Sequence, residues 1–126
     1  MINKVYVDDE GILQIWVVGD QTAESVREMG EKLSLYAAQL RSQGRPVLVL
    51  DNLKAMGNTT SEARKEVARI ARSLDFDRAV MVGDGSAVMR LGTNLMLRAI
   101  GRSNARYYSA LEPAQAWLTG QLKHKL

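Results

Sequence analysis

The chain has 126 residues and a net charge of +3, with 46% hydrophobic and 25% charged residues, which is the balance of one ordinary globular domain spanning residues 1–126. It has no Cys and a single His, His124, between Lys123 and Lys125, read here as a solvated terminal side chain. Disulfides, thiolate metal sites, cysteine nucleophiles, zinc clusters and a Ser-His-Asp arrangement are thereby excluded, and neither a metal nor a cofactor is expected. The start lacks the basic-then-apolar pattern of a secretion signal, and no run of 18 apolar residues exists, so a cytoplasmic location is expected.

Lys4-Val5-Tyr6-Val7 alternates like a strand, and Asp8-Asp9-Glu10-Gly11 has turn chemistry. Ile12 to Val18 then reads as a second strand with Leu13, Ile15 and Val17 on one face, completing a hairpin. From Thr22 to Gln43, Ala23, Val26, Met29, Leu33, Tyr36 and Leu40 recur at helical spacing, with Thr22 as cap and Gly44 and Pro46 as the stop. Val47 to Leu50 is a continuous apolar run, the mark of a strand covered on both faces. Thr59-Thr60-Ser61-Glu62 fits a capping box opening a helix striped by Ala63, Val67, Ile70 and Leu74. Ala79 to Val82 is a strand. Gly83-Asp84-Gly85-Ser86 leads into a helix through about Arg102, Ala105 to Tyr108 is a last strand, and Ser109-x-x-Glu112 is a second capping box. That last helix buries Ala114, Trp117, Leu118 and, one turn on, Leu122. The order β-β-α-β-α-β-α-β-α predicts an α/β fold: one mixed, mostly parallel sheet of about five strands, with an antiparallel edge and four helices.

Several stretches resemble the STAS-like domains, including the STAS/SEC14-like proteins. They are Val47-Leu-Val-Leu-Asp51, Ser61-Glu-Ala-Arg-Lys65, Asp75-Phe-Asp-Arg-Ala-Val-Met-Val-Gly83, Met89-Arg-Leu-Gly-Thr-Asn94, Ala105-Arg-Tyr-Tyr108 and Ala114-Gln-Ala-Trp-Leu118. Such domains are similar to the anti-sigma factor antagonists of sporulation and, more distantly, to CRAL-TRIO lipid carriers. The resemblance implies a sheet of four to five strands and no known catalytic activity. It also implies a phospho-acceptor at the start of the second helix, at Thr60 or Ser61, and a cleft for a small apolar or lipid-like molecule. The antagonists' Asp-Ser-Ser-Gly-Leu-Gly is replaced here by Asn58-Thr59-Thr60-Ser61-Glu62-Ala63, hydroxyls whose plain role is to cap a helix.

Four clusters are candidates for function. No acidic residue lies between Asp84 and Glu112, while Arg90, Arg98, Arg102 and Arg106 do. On a helical projection Val88, Met89, Gly92, Leu95, Met96, Ala99 and Ile100 form one apolar arc; Arg90, Asn94, Arg98 and Arg102 form the opposite stripe, with Leu97 among them. That pattern predicts a surface for a protein partner or an anionic membrane, with Leu97 inserting. Gly83-Asp84-Gly85-Ser86 precedes a helix N-terminus, but it has no phosphate-loop Lys and reads as a tight turn. Asp8, Asp9 and Glu10 with Asp51 imitate a phosphorelay receiver holding Mg²⁺, yet Gly11 is followed by a strand where a receiver needs a helix. Asp51 and Asp84 would both end neighbouring parallel strands and could form a carboxylate pair. No nucleophile or cofactor motif accompanies them, so a non-enzymatic binding or regulatory module is expected, a carrier of a small apolar ligand being the alternative. The arginines are not interleaved with aromatics, which argues against nucleic acid. Oligomeric state is left open, a dimer included.

Overall fold

A computed structural model describes residues 2–120, so His124 and Leu122 lie outside the described residues. The elements are β1 (Lys4–Val7), β2 (Leu13–Gln21), α1 (Ala23–Ser42), β3 (Leu48–Thr59), α2 (Ser61–Ser73), β4 (Arg78–Val82), α3 (Ala87–Ile100), β5 (Ala105–Tyr108) and α4 (Leu111–Leu118). The strands form one sheet in the order β1-β2-β3-β4-β5, β1 antiparallel to β2 and each later neighbour parallel. The mixed sheet with its hairpin edge is the architecture that the alternation of patterns predicts. At the hairpin tip Asp8 accepts hydrogen bonds from the backbone N–H of Glu10 and Ile12 and from Gln14 Nε2, each at 2.9 Å. Its acids therefore build a turn, and Ile12 continues into β2 as a strand.

Strand alternation divides the core into two layers. Leu13, Ile15, Val17, Val49 and Met81 face α1, α2 and α3, while Leu50, Val80 and Val82 face α4. Helix α1 has the predicted start: the Ser25 N–H donates to Thr22 Oγ1 and the Thr22 N–H donates to Ser25 Oγ. It closes with Gly44 at φ 71° and the Arg45 N–H donating to the Leu40 carbonyl at 2.9 Å, a left-handed cap that a side chain would strain. Gly30, midway along α1, lies under the Ile70 side chain, where any Cβ would overlap it.

Five boundaries differ from the sequence reading. β3 runs eight residues past Asp51 to Thr59, and β2 runs on to Gln21 beside it, through irregularities at Val17 and Asp20. The extension is polar and contains Gly57, so it has no apolar alternation to betray it. Thr60 rather than Thr59 caps α2, its Oγ1 accepting from the Ala63 N–H at 3.1 Å. α3 stops at Ile100 because Gly101 takes φ 75°. α4 begins after Ala110 without a side-chain cap, and its third residue, Pro113, has no N–H for such a cap to bind.

Candidate functional site

Between the sheet and helices α1 to α3 lies a mostly apolar cavity of about 760 Å³, within the range of small-molecule sites. It exists because two of the three covering helices stand off from the strands. α2 fully buries only Ala63, and α3 fully buries only Thr93. Small residues open the space further, with Ala71, Gly92 and Ala105 on its walls. Met29, Met56, Met81, Met89 and Met96, five of the chain's six methionines, also line it. Unbranched thioether side chains give such a wall a conformable, polarisable surface.

One carboxylate interrupts it. Asp51 sits inside β3, beside Ile15 of β2 and Met81 of β4, on the same face as Val49. Its residual accessible surface belongs to the cavity lining, and its Oδ1 is fully covered with no hydrogen-bond partner. Burial alone pushes its carboxyl up to about 7. No neighbouring charge contributes to that shift. Along the same row of the sheet, Met81 is flanked by Tyr107, whose buried hydroxyl also has no partner. Arg64 is the other ionisable residue of the lining; it is exposed, and its Nη1 donates to the Thr59 carbonyl at 2.7 Å.

The other residues singled out by sequence are placed differently. Asp84 is exposed in the loop after β4, and the Ser86 N–H donating to it holds its carboxyl below the usual range. It lies three residues beyond Met81, the neighbour of Asp51, or about 10 Å further along the strand direction. The two acids therefore do not form the expected pair, because β3 continues past Asp51. Ser86 caps α3, its Oγ accepting from the Met89 N–H at 3.2 Å, as a tight turn leading into a helix requires.

On α3, Arg90, Asn94 and Arg98 are exposed, but Leu97 is half-buried and lines the cavity rather than protruding. Arg102 does not join a surface stripe either. Its guanidinium donates to the carbonyls of Ala71, Leu74 and Phe76 and stacks over the Phe76 ring at 3.6 Å. It thus clamps the connection from α2 to β4. The apolar arc splits: Met89, Met96 and Ile100 turn inward with Leu97, while Val88, Leu91 and Leu95 are 85%, 64% and 55% exposed. Relative to the predicted orientation, α3 is turned about its axis by roughly 75°, less than one residue step. Apolar side chains occupy most of its circumference, so periodicity alone leaves that angle undetermined. Thr60 and Ser61 are both exposed at the α2 N-terminus, where Thr60 serves as cap and Ser61 Oγ donates to Glu62.

No family model and no curated protein matches the sequence. Solved structures do match. An uncharacterised protein from Shewanella loihica PV-4 with a SpoIIAA-like fold is similar at a TM-score of 0.65 and 16% identity, over 92% of this chain and 91% of that one. The anti-sigma factor antagonist SpoIIAA in its unphosphorylated form is similar at a TM-score of 0.60 and 13% identity, over 96% and 97%. The fold is SpoIIAA-like. The STAS-like resemblance carried by those strand and helix stretches thus holds for the architecture, and it is the architecture that these low identities convey. No helix among the described residues is long and apolar enough to cross a membrane.

Proposed function

We propose that this chain is a non-catalytic binding module of SpoIIAA-like fold that holds a small, mostly apolar ligand between its sheet and helices α1 to α3. The observation that carries this reading is the cavity of about 760 Å³ in a domain of 126 residues. The cleft is half open and mostly apolar, so apolar side chains on its walls meet water, and covering them with an apolar ligand is favourable. Catalysis is not what supports this reading: the lining has no second carboxylate and no His, Cys or Lys to act with Asp51. Native mass spectrometry of the protein isolated from its own cells tests the proposal. A non-covalent mass excess that disappears on denaturation is expected. The bare chain mass, together with no uptake of a simple apolar alcohol in vitro, would overturn it.

A second reading, partner docking, is favoured by the exposed apolar row Val88, Leu91 and Leu95 flanked by Arg90, Asn94 and Arg98. An amphipathic face of this kind fits a protein partner or an anionic lipid surface. One of the similar structures is an anti-sigma factor antagonist, and its unphosphorylated form was the one solved. Phosphate on Thr60 or Ser61 would sit at a helix N-terminus, where the exposed backbone N–H groups and the helix dipole favour it. Intact-mass measurement of the cellular protein reads that modification directly. Flotation with anionic and neutral vesicles separates membrane from protein partners.

A further inference from the structure

Building on the ligand-holding reading, we infer that the molecule this hollow takes is apolar and carries a single protonated amine, seated on Asp51. The wall is mostly aliphatic and thioether side chains, with Gln21, Asn58, Thr59, Ser86 and Thr93 as neutral polar members, and an apolar body is what such a wall selects. Its one acidic interruption is a carboxylate, Asp51, flanked by Ile15 and Met81, with Oδ1 covered and unpartnered. A covered, ionised carboxylate oxygen is unfavourable unless an opposite charge or hydrogen-bond donors meet it, and among the described residues none meets Oδ1 of the half-buried Asp51. A ligand ammonium supplies both. Above pH 7, where Asp51 is ionised, a carboxylate or phosphate on the ligand would add a like charge, and a hydroxyl would offer a hydrogen bond but no opposite charge. The other charge of the lining, Arg64, is exposed and engaged with the Thr59 carbonyl, and it leaves the Asp51 carboxyl unperturbed.

The same arrangement makes binding depend on pH. From β2 and β4 the neighbours of Asp51 are Ile15 and Met81, and among the lining residues of α1, α2 and α3 the only ionisable one is Arg64. In the empty hollow burial holds the Asp51 carboxyl up at about 7. An ammonium favours the carboxylate form, so amine binding releases a proton and weakens below that pH, by about tenfold per unit.

Isothermal titration with octylamine, octanol and octanoate, at pH 8 and pH 6, tests the inference on the wild-type chain and on Asp51→Asn. Octylamine is expected to bind wild type at least tenfold more tightly than octanol at pH 8, with most of that advantage gone at pH 6. Asp51→Asn is expected to keep octanol binding and to lose the amine preference. If octanol or octanoate binds wild type as tightly as octylamine at pH 8, the amine inference is overturned while the ligand-holding reading stands. An amine preference that persists in Asp51→Asn, or that is unchanged at pH 6 in wild type, also overturns it. If none of the three binds, the inference falls, and the ligand-holding reading falls with it when the cellular protein also shows only the bare chain mass. The pH comparison uses wild type alone, so it decides the matter even if the variant does not fold.

Discussion

The two faces of the sheet are covered in contrasting ways. On the α4 face a single helix of eight residues closes the layer: Leu50, Val80, Val82 and Leu118 are at most 1% exposed. Trp117 completes it, with the guanidinium groups of Arg78 and Arg106 over its ring at 5.2 Å and 4.7 Å. Arg78 also donates to the Trp117 carbonyl at 2.6 Å, tying α4 to β4. The opposite face carries three helices and yet leaves a cleft of about 760 Å³ between them and the strands. Consecutive residues of β3 belong to each side, Leu50 to the filled layer and Asp51 to the hollow one. Closure therefore depends on how near each helix approaches, not on how much helix is present. α4 inserts Trp117 and Leu118, whereas α2 and α3 meet the strands mainly through half-buried side chains and leave the centre open.

Substitutions that change one face at a time sharpen or break this contrast. Leu50→Ala in the filled layer is expected to cost about 3–4 kcal/mol in denaturant unfolding. Met96→Ala, on the hollow side, is expected to cost less than about 1.5 kcal/mol, because it enlarges existing space instead of creating a new void. Equal losses would mean that the two layers are packed alike. Next comes Asp51→Asn. The folded protein holds the Asp51 carboxyl up at about 7, against an ordinary value of 3.8. Between those pH values the native state binds a proton that the unfolded chain lacks, so this group makes wild-type stability fall as pH rises from about 4 to 7. Asp51→Asn removes that slope. Its gain over wild type is expected to be on the order of 3 kcal/mol at pH 8 and to vanish near pH 4.

Arg102→Ala removes donors to three carbonyls and the stacking on Phe76, and it is expected to cost about 2 kcal/mol in thermal or chemical unfolding. An effect near zero would return Arg102 to the surface stripe that the sequence pattern suggests. The smallest expected effect is that of Leu95→Ser on the outside of α3, within about 0.5 kcal/mol of wild type. A loss above 2 kcal/mol would show that Leu95 is covered and that the outward row is misplaced.

The layered fold was legible because periodicity and helix stops agree along the chain. Val47-Leu48-Val49-Leu50 reads as a strand covered on both faces, and it is one; Thr22 and Gly44 bracket α1 as their chemistry requires. The polar end of β3 was not legible, since its partner is the equally polar end of β2 and neither has an apolar face to set a period. Asp51 drew notice as an acid at a strand end, but its meaning lay in a different signal. At two-residue spacing it shares a face with Val47, Val49 and Leu53, so a carboxylate stands in an otherwise buried apolar row. The volume of the hollow could not be read from sequence, because it depends on the stand-off of α2 and α3. The rotation of α3 was illegible for a similar reason: Leu91 and Leu97, outside the apolar arc, are no less apolar than Leu95 within it.

A ¹³C NMR titration of the Asp51 side-chain carboxyl tests most directly whether one face of this sheet is hollow and holds an unpaired acid. A midpoint near 7 is expected in the ligand-free protein. A midpoint in the ordinary carboxylate range, about 4, would mean that water or a donor reaches Asp51 and would contradict the description of that face.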